Sequence, residues 1–226
     1  MIRVEPAPEP ESFDKEVRQP GLNALAELVG EPAPTRTGPK RDKIADRRDD
    51  IPVTSLFPYW RRANDDLLRA YRRICAFTSL YIHPVTGAHS VDHMLAKSSD
   101  WRHVYEWTNY RLACARVNSG KGVRSPLDPF EIADGWFELE LVGYQVLPGA
   151  AVQGPLRRQI EATITILHLN DSDHRLARSQ YAEDYLTSAI TLNYLQRRAP
   201  FVAHELHRQG KLLPADQYSE PRRPAK

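Results

Sequence analysis

The chain has 226 residues, enough to bury a sizeable core in one domain with extensions. Its 31 lysines and arginines against 29 aspartates and glutamates leave a net charge of +2, which excludes a whole-surface field built for a polyanion, so any nucleic-acid surface must be local. No run approaches the roughly 18 apolar residues that span a bilayer, and the start Met1-Ile2-Arg3-Val4-Glu5-Pro6 has no apolar signal core, which reads as a soluble, cytoplasmic protein without a membrane partner.

Residues 1–50 are proline-rich and carry the basic run Arg36 to Arg48, with one short amphipathic candidate, Leu22 to Val29. This segment is expected to be extended or mobile unless a partner orders it, as a solvated linker or a phosphate-binding arm. Over 58–76, Tyr59, Leu67, Leu68, Tyr71 and Ile74 recur at helical spacing, with Arg69, Arg72 and Arg73 elsewhere on the cylinder. Next, 77–82 and 88–91 are β-prone runs separated by His83-Pro84-Val85-Thr86-Gly87, a hairpin pattern that sets Asp92 and His93 at a strand end. The polar stretch 94–106 reads as a loop across that end, and a short strand over 110–113 followed by a helix from about Cys114 completes a β, β, α order.

Beyond it, 136–146 alternates enough for one or two strands, and helical patterns occupy 155–168, 171–198 and 201–206. Asn170 to Asp173 is a helix-cap candidate, and a polar tail follows. The expected organisation is a mobile arm over 1–50, a domain over 51–210 with its core at about 74–130, and a tail over 211–226.

The residues that carry chemistry are Asp92, His93, Asn109, Asn118 and Lys121. Phosphodiester hydrolysis needs a nucleophilic water and relief of charge on the phosphoryl and leaving oxygens. Asp92 and Asn118 offer oxygens of the kind that Mg²⁺ or Mn²⁺ prefers. His93, next to Asp92 on an extended backbone, points to the opposite side and suits a general base. Asn109 is placed to fix the imidazole tautomer or to bind the loop backbone. Lys121 lies one turn beyond Asn118, and with Lys97 and Arg111 it is the basic group expected against nucleic acid.

Bland readings stand beside these. Asp92-His93 also fits a strand end without a role, and Asn118 fits a helix end before Gly120. Trp60, Trp101, Trp107 and Trp136 are read as core rather than as base-stacking groups. In a cytoplasmic chain Cys75 and Cys114 are expected to stay reduced, as small hydrophobes or remnants of a metal knuckle. His83 and His89 are the nitrogens available to a rearranged Cys₂His₂ knuckle, although histidines near turns are more often solvated.

Val91-Asp92-His93, Lys97-Ser98, Tyr105-Glu106-Trp107, Asn109-Tyr110-Arg111-Leu112-Ala113-Cys114 and Asn118-Ser119-Gly120-Lys121-Gly122 together resemble the HNH, or ββα-metal, endonucleases. Within them the chain looks like the HNH component of Septu-type antiphage systems and their retron-associated relatives, over about 90–205. The resemblance implies an α+β fold with a ββα-metal core between an N-terminal helix and a C-terminal helical region. It implies Asp92 and Asn118 as ligands of one catalytic Mg²⁺ or Mn²⁺, His93 as general base and Asn109 as the residue that positions it. It also implies DNA as substrate and an ABC- or SMC-like ATPase as partner, in a complex that could hold more than one copy of the chain.

Two positions depart from the family pattern. Each Cys-x-x-Cys knuckle keeps one thiol, in Cys75-Ala76-Phe77-Thr78 and Cys114-Ala115-Arg116-Val117, so a structural zinc is not expected and Phe77 and Val117 are expected to fill the space. Met94-Leu95-Ala96 replaces a basic segment, which leaves Lys97 as the phosphate contact. An HNH fold serving as an inactive adaptor on the ATPase is the competing class, and a zinc-dependent binding module is the third.

Overall fold

The computed structural model describes residues 1–34 and 39–219. Among them, seven α-helices and two small antiparallel sheets make a mixed α+β fold. A hairpin of β1 (His89–His93) and β2 (Tyr110–Cys114) pairs Val91 with Leu112, Asp92 with Arg111 and His93 with Tyr110. The chain then turns directly into α3 (Ala115–Lys121), which stops at Gly122, a residue at φ 57°. Glycine adopts that left-handed conformation at little cost, so the helix ends just after Lys121.

Strand alternation decides what each face of the hairpin meets. Ser90 and Asp92 point toward α3, whose Asn118 and Lys121 side chains reach them. On the other face His93 meets Trp60 edge-on with ring centroids 5.2 Å apart, and Tyr110 meets Phe13 at 5.7 Å. Because both faces are covered, Tyr110, Arg111, Leu112 and Ala113 are all buried, and β2 reads as a continuous run rather than an alternating one.

A 3₁₀ run (Tyr59–Ala63) leads into α2 (Asn64–Ala70), which packs against both strands. The helical spacing predicts an element to residue 76, but Arg72 and Arg73 take left-handed dihedrals, φ 49° and 62°. The reversal lays Ala76 on β2, its N–H donating to the Leu112 carbonyl at 2.8 Å. Residues 77–82 do not form the expected strand partner of β1. They fold back on Cys75 through a Ser79 N–H to Cys75 O bond of 2.9 Å and touch the sheet pattern only at an Ile74–Tyr81 bridge.

The first 50 residues differ most from expectation, since their described part is built into the core rather than extended or mobile. Phe13, Val17, Leu25 and Leu28 join one hydrophobic cluster with Leu112 and Tyr110. The prolines suggest an unstructured arm, yet Pro20 is accommodated where a π-helical turn (Asp14–Arg18) passes directly into α1 (Gln19–Leu28), a local irregularity of the kind that takes up a proline within a continuous helical run. Part of the basic run is paired rather than free: Arg41 binds Glu27 and the Tyr59 hydroxyl, each at 2.6 Å, and Arg48 binds Glu31. Arg36 lies outside the described residues. Residues on both sides of position 50 share that one hydrophobic cluster.

A close approach locks α1 to the hairpin region. A Cβ added at Gly21 would lie 2.3 Å from the Tyr105 ring, itself 1 % exposed. Gly21→Ala is expected to cost about 1–3 kcal/mol, seen as a lower midpoint in urea unfolding. An unchanged midpoint would show that α1 is not docked there.

The C-terminal half carries a second hairpin of β3 (Phe137–Leu139) and β4 (Val146–Pro148), then α4 (Gly154–Ile166), α5 (Ser172–Leu186), α6 (Leu192–Arg198) and α7 (Pro200–Arg208). Buried charges tie hairpin to helices: Arg178 donates to the carbonyls of Tyr144 and Leu169, and Glu205 accepts the Leu139 N–H at 2.8 Å. Asp171 precedes α5 as expected, though without a side-chain cap bond. The described part of the tail packs rather than trailing, with Tyr218 stacked on His207 at 4.3 Å and Asp216 accepting from the Tyr185 hydroxyl at 2.7 Å. Residues 220–226 of that tail lie outside the described residues. Among the described residues no helix is long and apolar enough to cross a membrane.

Candidate active site at the end of the first hairpin

Asp92 and His93 close β1, and pleating sends them to opposite faces of one strand end. Asp92 is 1 % exposed, and Lys121 donates to its Oδ1 at 3.1 Å and to the His93 carbonyl at 2.7 Å. Its other oxygen, Oδ2, is buried without a hydrogen-bond partner. An unpaired buried carboxylate oxygen is costly, so this atom is the one a ligand would satisfy. Burial pushes the Asp92 carboxyl up to about 6, against the downward pull of Lys121 and Arg111.

Asn118 is fixed from the same side. Its Nδ2 donates to Ser90 Oγ at 2.9 Å and to the Val91 carbonyl at 3.3 Å. A carbonyl can only accept, so the amide orientation is determined and Oδ1 is the atom left over. Asp92 Oδ2 and Asn118 Oδ1 are two hard oxygens, the donor type that fits Mg²⁺ or Mn²⁺. Among the described residues no three His, Cys, Asp or Glu side chains converge on a metal-sized site.

On the opposite face His93 Nε2 lies 3.0 Å from the Val104 carbonyl, which also accepts the Tyr110 hydroxyl at 2.8 Å. With a carbonyl as partner, Nε2 carries the hydrogen and Nδ1 keeps the lone pair. Burial lowers the imidazole to about 3 against the upward pull of the Val104 bond, and the charges of Lys97 and Lys121 lower it further. His93 is therefore neutral near neutral pH, with the lone pair on Nδ1, and burial makes it a weak base in this state.

Asn109 takes the second of its two expected roles. Its Oδ1 accepts the Leu95 N–H at 2.7 Å, and its Nδ2 donates to the carbonyls of Leu95 and His103 at 3.1 and 2.9 Å. It staples the 94–106 loop and acts on His93 only by placing Val104, so it is a positioning residue and not a catalytic one. Arg111, expected against nucleic acid, is 3 % exposed and bound to Asp128, with its plane 3.4 Å from the Phe130 centroid. Lys121, expected at a phosphate, is 1 % exposed and spent on Asp92. Both expectations are corrected by burial, which removes these cations from a bound strand. Lys97 alone of the three stays partly open, its Nζ 4.5 Å from the Trp60 centroid.

The knuckle residues meet as well. Cys114 N–H donates to Cys75 Sγ at 3.4 Å, and Phe77 and Val117 are 0 % and 1 % exposed in the core. Burial raises the Cys75 thiol, but hydrogen bonds from Cys114 and Thr78 outweigh it and bring the group down to about 6. Val104, Trp60 and Asp128 were missed in the sequence. A backbone carbonyl leaves no residue-type signal, whereas Asp128 in Pro126-Leu127-Asp128-Pro129 was readable as a carboxylate near an arginine-bearing strand. Comparison with protein-family models and with curated proteins finds no match to this chain.

Proposed function

We propose that this chain is a metal-dependent endonuclease of the HNH type, hydrolysing phosphodiester bonds of nucleic acid, with DNA as the first substrate to test. The observation that carries this reading is the strand end at Asp92-His93, which offers an unpaired carboxylate oxygen on one face and an imidazole of fixed tautomer on the other. Asp92 Oδ2 and Asn118 Oδ1 would hold one Mg²⁺ or Mn²⁺, which when bound offsets charge on the phosphoryl and leaving oxygens.

His93 Nδ1 accepts a proton from the attacking water. The water oxygen bonds to phosphorus, the bond to the leaving oxygen breaks, and that oxygen takes a proton from solvent. The Val104 carbonyl holds the imidazole in place, and Asn109 holds the loop that carries Val104. The ABC- or SMC-like ATPase partner and a role in antiphage defence rest on the sequence resemblance.

Burial of Asp92 and His93, 1 % and 7 % exposed, favours the second reading, an HNH-fold adaptor without its own cleavage. The deciding assay incubates the full chain with supercoiled plasmid, and separately with single-stranded RNA, in Mg²⁺, Mn²⁺ or EDTA, with and without a co-purified ATPase and ATP. Metal-dependent nicking is expected. Intact substrates under every condition assign the adaptor.

A further inference from the structure

The chain holds two cysteines, both free thiols, and the fold brings them against each other. Cys75 lies where the reversal after α2 lays the backbone on β2: the Ala76 N–H donates to the Leu112 carbonyl at 2.8 Å, and the Cys75 N–H donates to the Leu80 carbonyl at 3.0 Å. Cys114 ends β2 and is the residue from which α3 starts. Its N–H donates to Cys75 Sγ at 3.4 Å, and the two thiols hydrogen-bond each other. Chains hydrogen-bonded side by side run about 4.8 Å apart, inside the span of about 4.4–6.8 Å between α-carbons that a disulfide bridges.

The two sulfurs differ in access and in protonation. Cys75 is fully buried, whereas Cys114 is only partly so. Burial opposes the Cys75 thiolate, yet hydrogen bonds from Cys114 and Thr78 outweigh it, while the Cys75 sulfur and then burial raise the Cys114 thiol. When the pair is singly ionised, its proton therefore lies on Cys114, the sulfur that solvent reaches, and the thiolate stands behind it. Neither group has a task at the Asp92-His93 strand end, and no other thiol in the chain competes for either one.

We propose that Cys75 and Cys114 are an oxidation site, at which hydrogen peroxide closes a reversible disulfide that staples the joint between β2 and α3 to the segment after α2. The proton between the sulfurs passes to Cys75 as Cys114 Sγ attacks a peroxide oxygen. The O–O bond breaks, hydroxide leaves and takes that proton, and Cys114 becomes a sulfenic acid. The Cys75 thiolate then attacks Cys114 Sγ; the S–S bond forms, the bond to the hydroxyl breaks, and the second hydroxide is protonated by solvent. Two electrons pass from sulfur to the peroxide, which ends as two waters. The bond closes a loop that contains β1, the 94–106 loop and β2, so it restricts the unfolded chain. It also holds the start of the helix that carries Asn118 and Lys121, and it forms whether or not the strand end cleaves nucleic acid.

The test treats the full, reduced chain with hydrogen peroxide and reads intact mass and non-reducing peptide maps. The expected product has lost two hydrogens, joins the Cys75 peptide to the Cys114 peptide within one chain, forms at a rate independent of protein concentration, and is returned to the thiols by dithiothreitol. Its melting temperature should lie above that of the reduced chain. Cys75→Ser should stop at a sulfenic acid on Cys114, trapped by dimedone, and Cys114→Ser should leave Cys75 reduced. The wild-type map decides even if a variant fails to fold. Cys114 carried on to sulfinic acid with Cys75 still a thiol would overturn the site. So would a Cys114 disulfide between two chains, or oxidation of Cys75 in Cys114→Ser as fast as in the wild type.

Discussion

His93→Ala is expected to lower metal-dependent cleavage by about 10²- to 10⁴-fold, the range that a positioned general base contributes. The imidazole is held by three neighbours, the Val104 carbonyl at 3.0 Å and the rings of Trp60 and Tyr110 at 5.2 and 5.1 Å. Alanine therefore also loses packing and leaves the carbonyl one donor short, a cost of about 1–3 kcal/mol. His93→Gln separates the two effects, since its amide can still donate to Val104 but cannot serve as a base. Cleavage at the wild-type rate by His93→Gln would remove His93 from the chemistry.

The same residue gives a pH signature independent of cleavage. Unfolded, the imidazole binds its proton below its ordinary 6.5, whereas in the folded chain it does so only near 3. The unfolded state thus holds more protons between those values, and stability falls as pH drops through that interval. Asp92 acts with the opposite sign between 3.8 and about 6, because burial makes the folded carboxyl the better proton binder. The gap between the urea midpoints of wild type and His93→Gln should therefore be constant above about pH 6.5 and move against the wild type as pH falls from there toward 3. Parallel curves would mean that the imidazole is not desolvated.

How far the sequence reveals this site depends on the range of the interactions involved. β1, β2 and α3 were legible because alternation, a helix-compatible run and a closing glycine are local signals, and the Asp92-His93 strand end follows from them. The partner of β1 was not, since 77–82 and 110–114 are both β-prone and only the left-handed Ser79, φ 54°, removes the first from pairing. Arg111 and Lys121 looked like phosphate contacts by residue type. Their burial is set by Asp128 and Asp92, and a pairing across the fold has no local trace. The N-terminal segment misled for a related reason: Phe13 and Val17 are too sparse to signal a core, and the Phe13 ring is buried against Trp107 and Tyr110 nearly a hundred positions away.

Lys121→Met is expected to be the most destabilising single change near the site, by about 3–5 kcal/mol, because it strands the Asp92 carboxylate in a desolvated position. Arg111 lies nearby but is engaged with Asp128 and two backbone carbonyls, so it cannot take over. The double variant Asp92→Asn/Lys121→Met should recover most of that loss, since neither charge then remains buried; a double variant as unstable as Lys121→Met would show that the pair is not the cause. Lys121 also competes for the atom a metal would use. It occupies Asp92 Oδ1 and leaves Oδ2, so in the wild type a divalent ion finds one carboxylate oxygen, and in Lys121→Met it finds two. A ligand at a hundred times its dissociation constant stabilises the folded state by about 2.7 kcal/mol. Mg²⁺ or Mn²⁺ should therefore raise the melting temperature of Lys121→Met more than that of the wild type, and should leave Asp92→Asn unmoved. An equal shift in all three would place the ion elsewhere, whereas the expected order would make Lys121 an internal cation that holds the ligand pair in shape until the metal arrives.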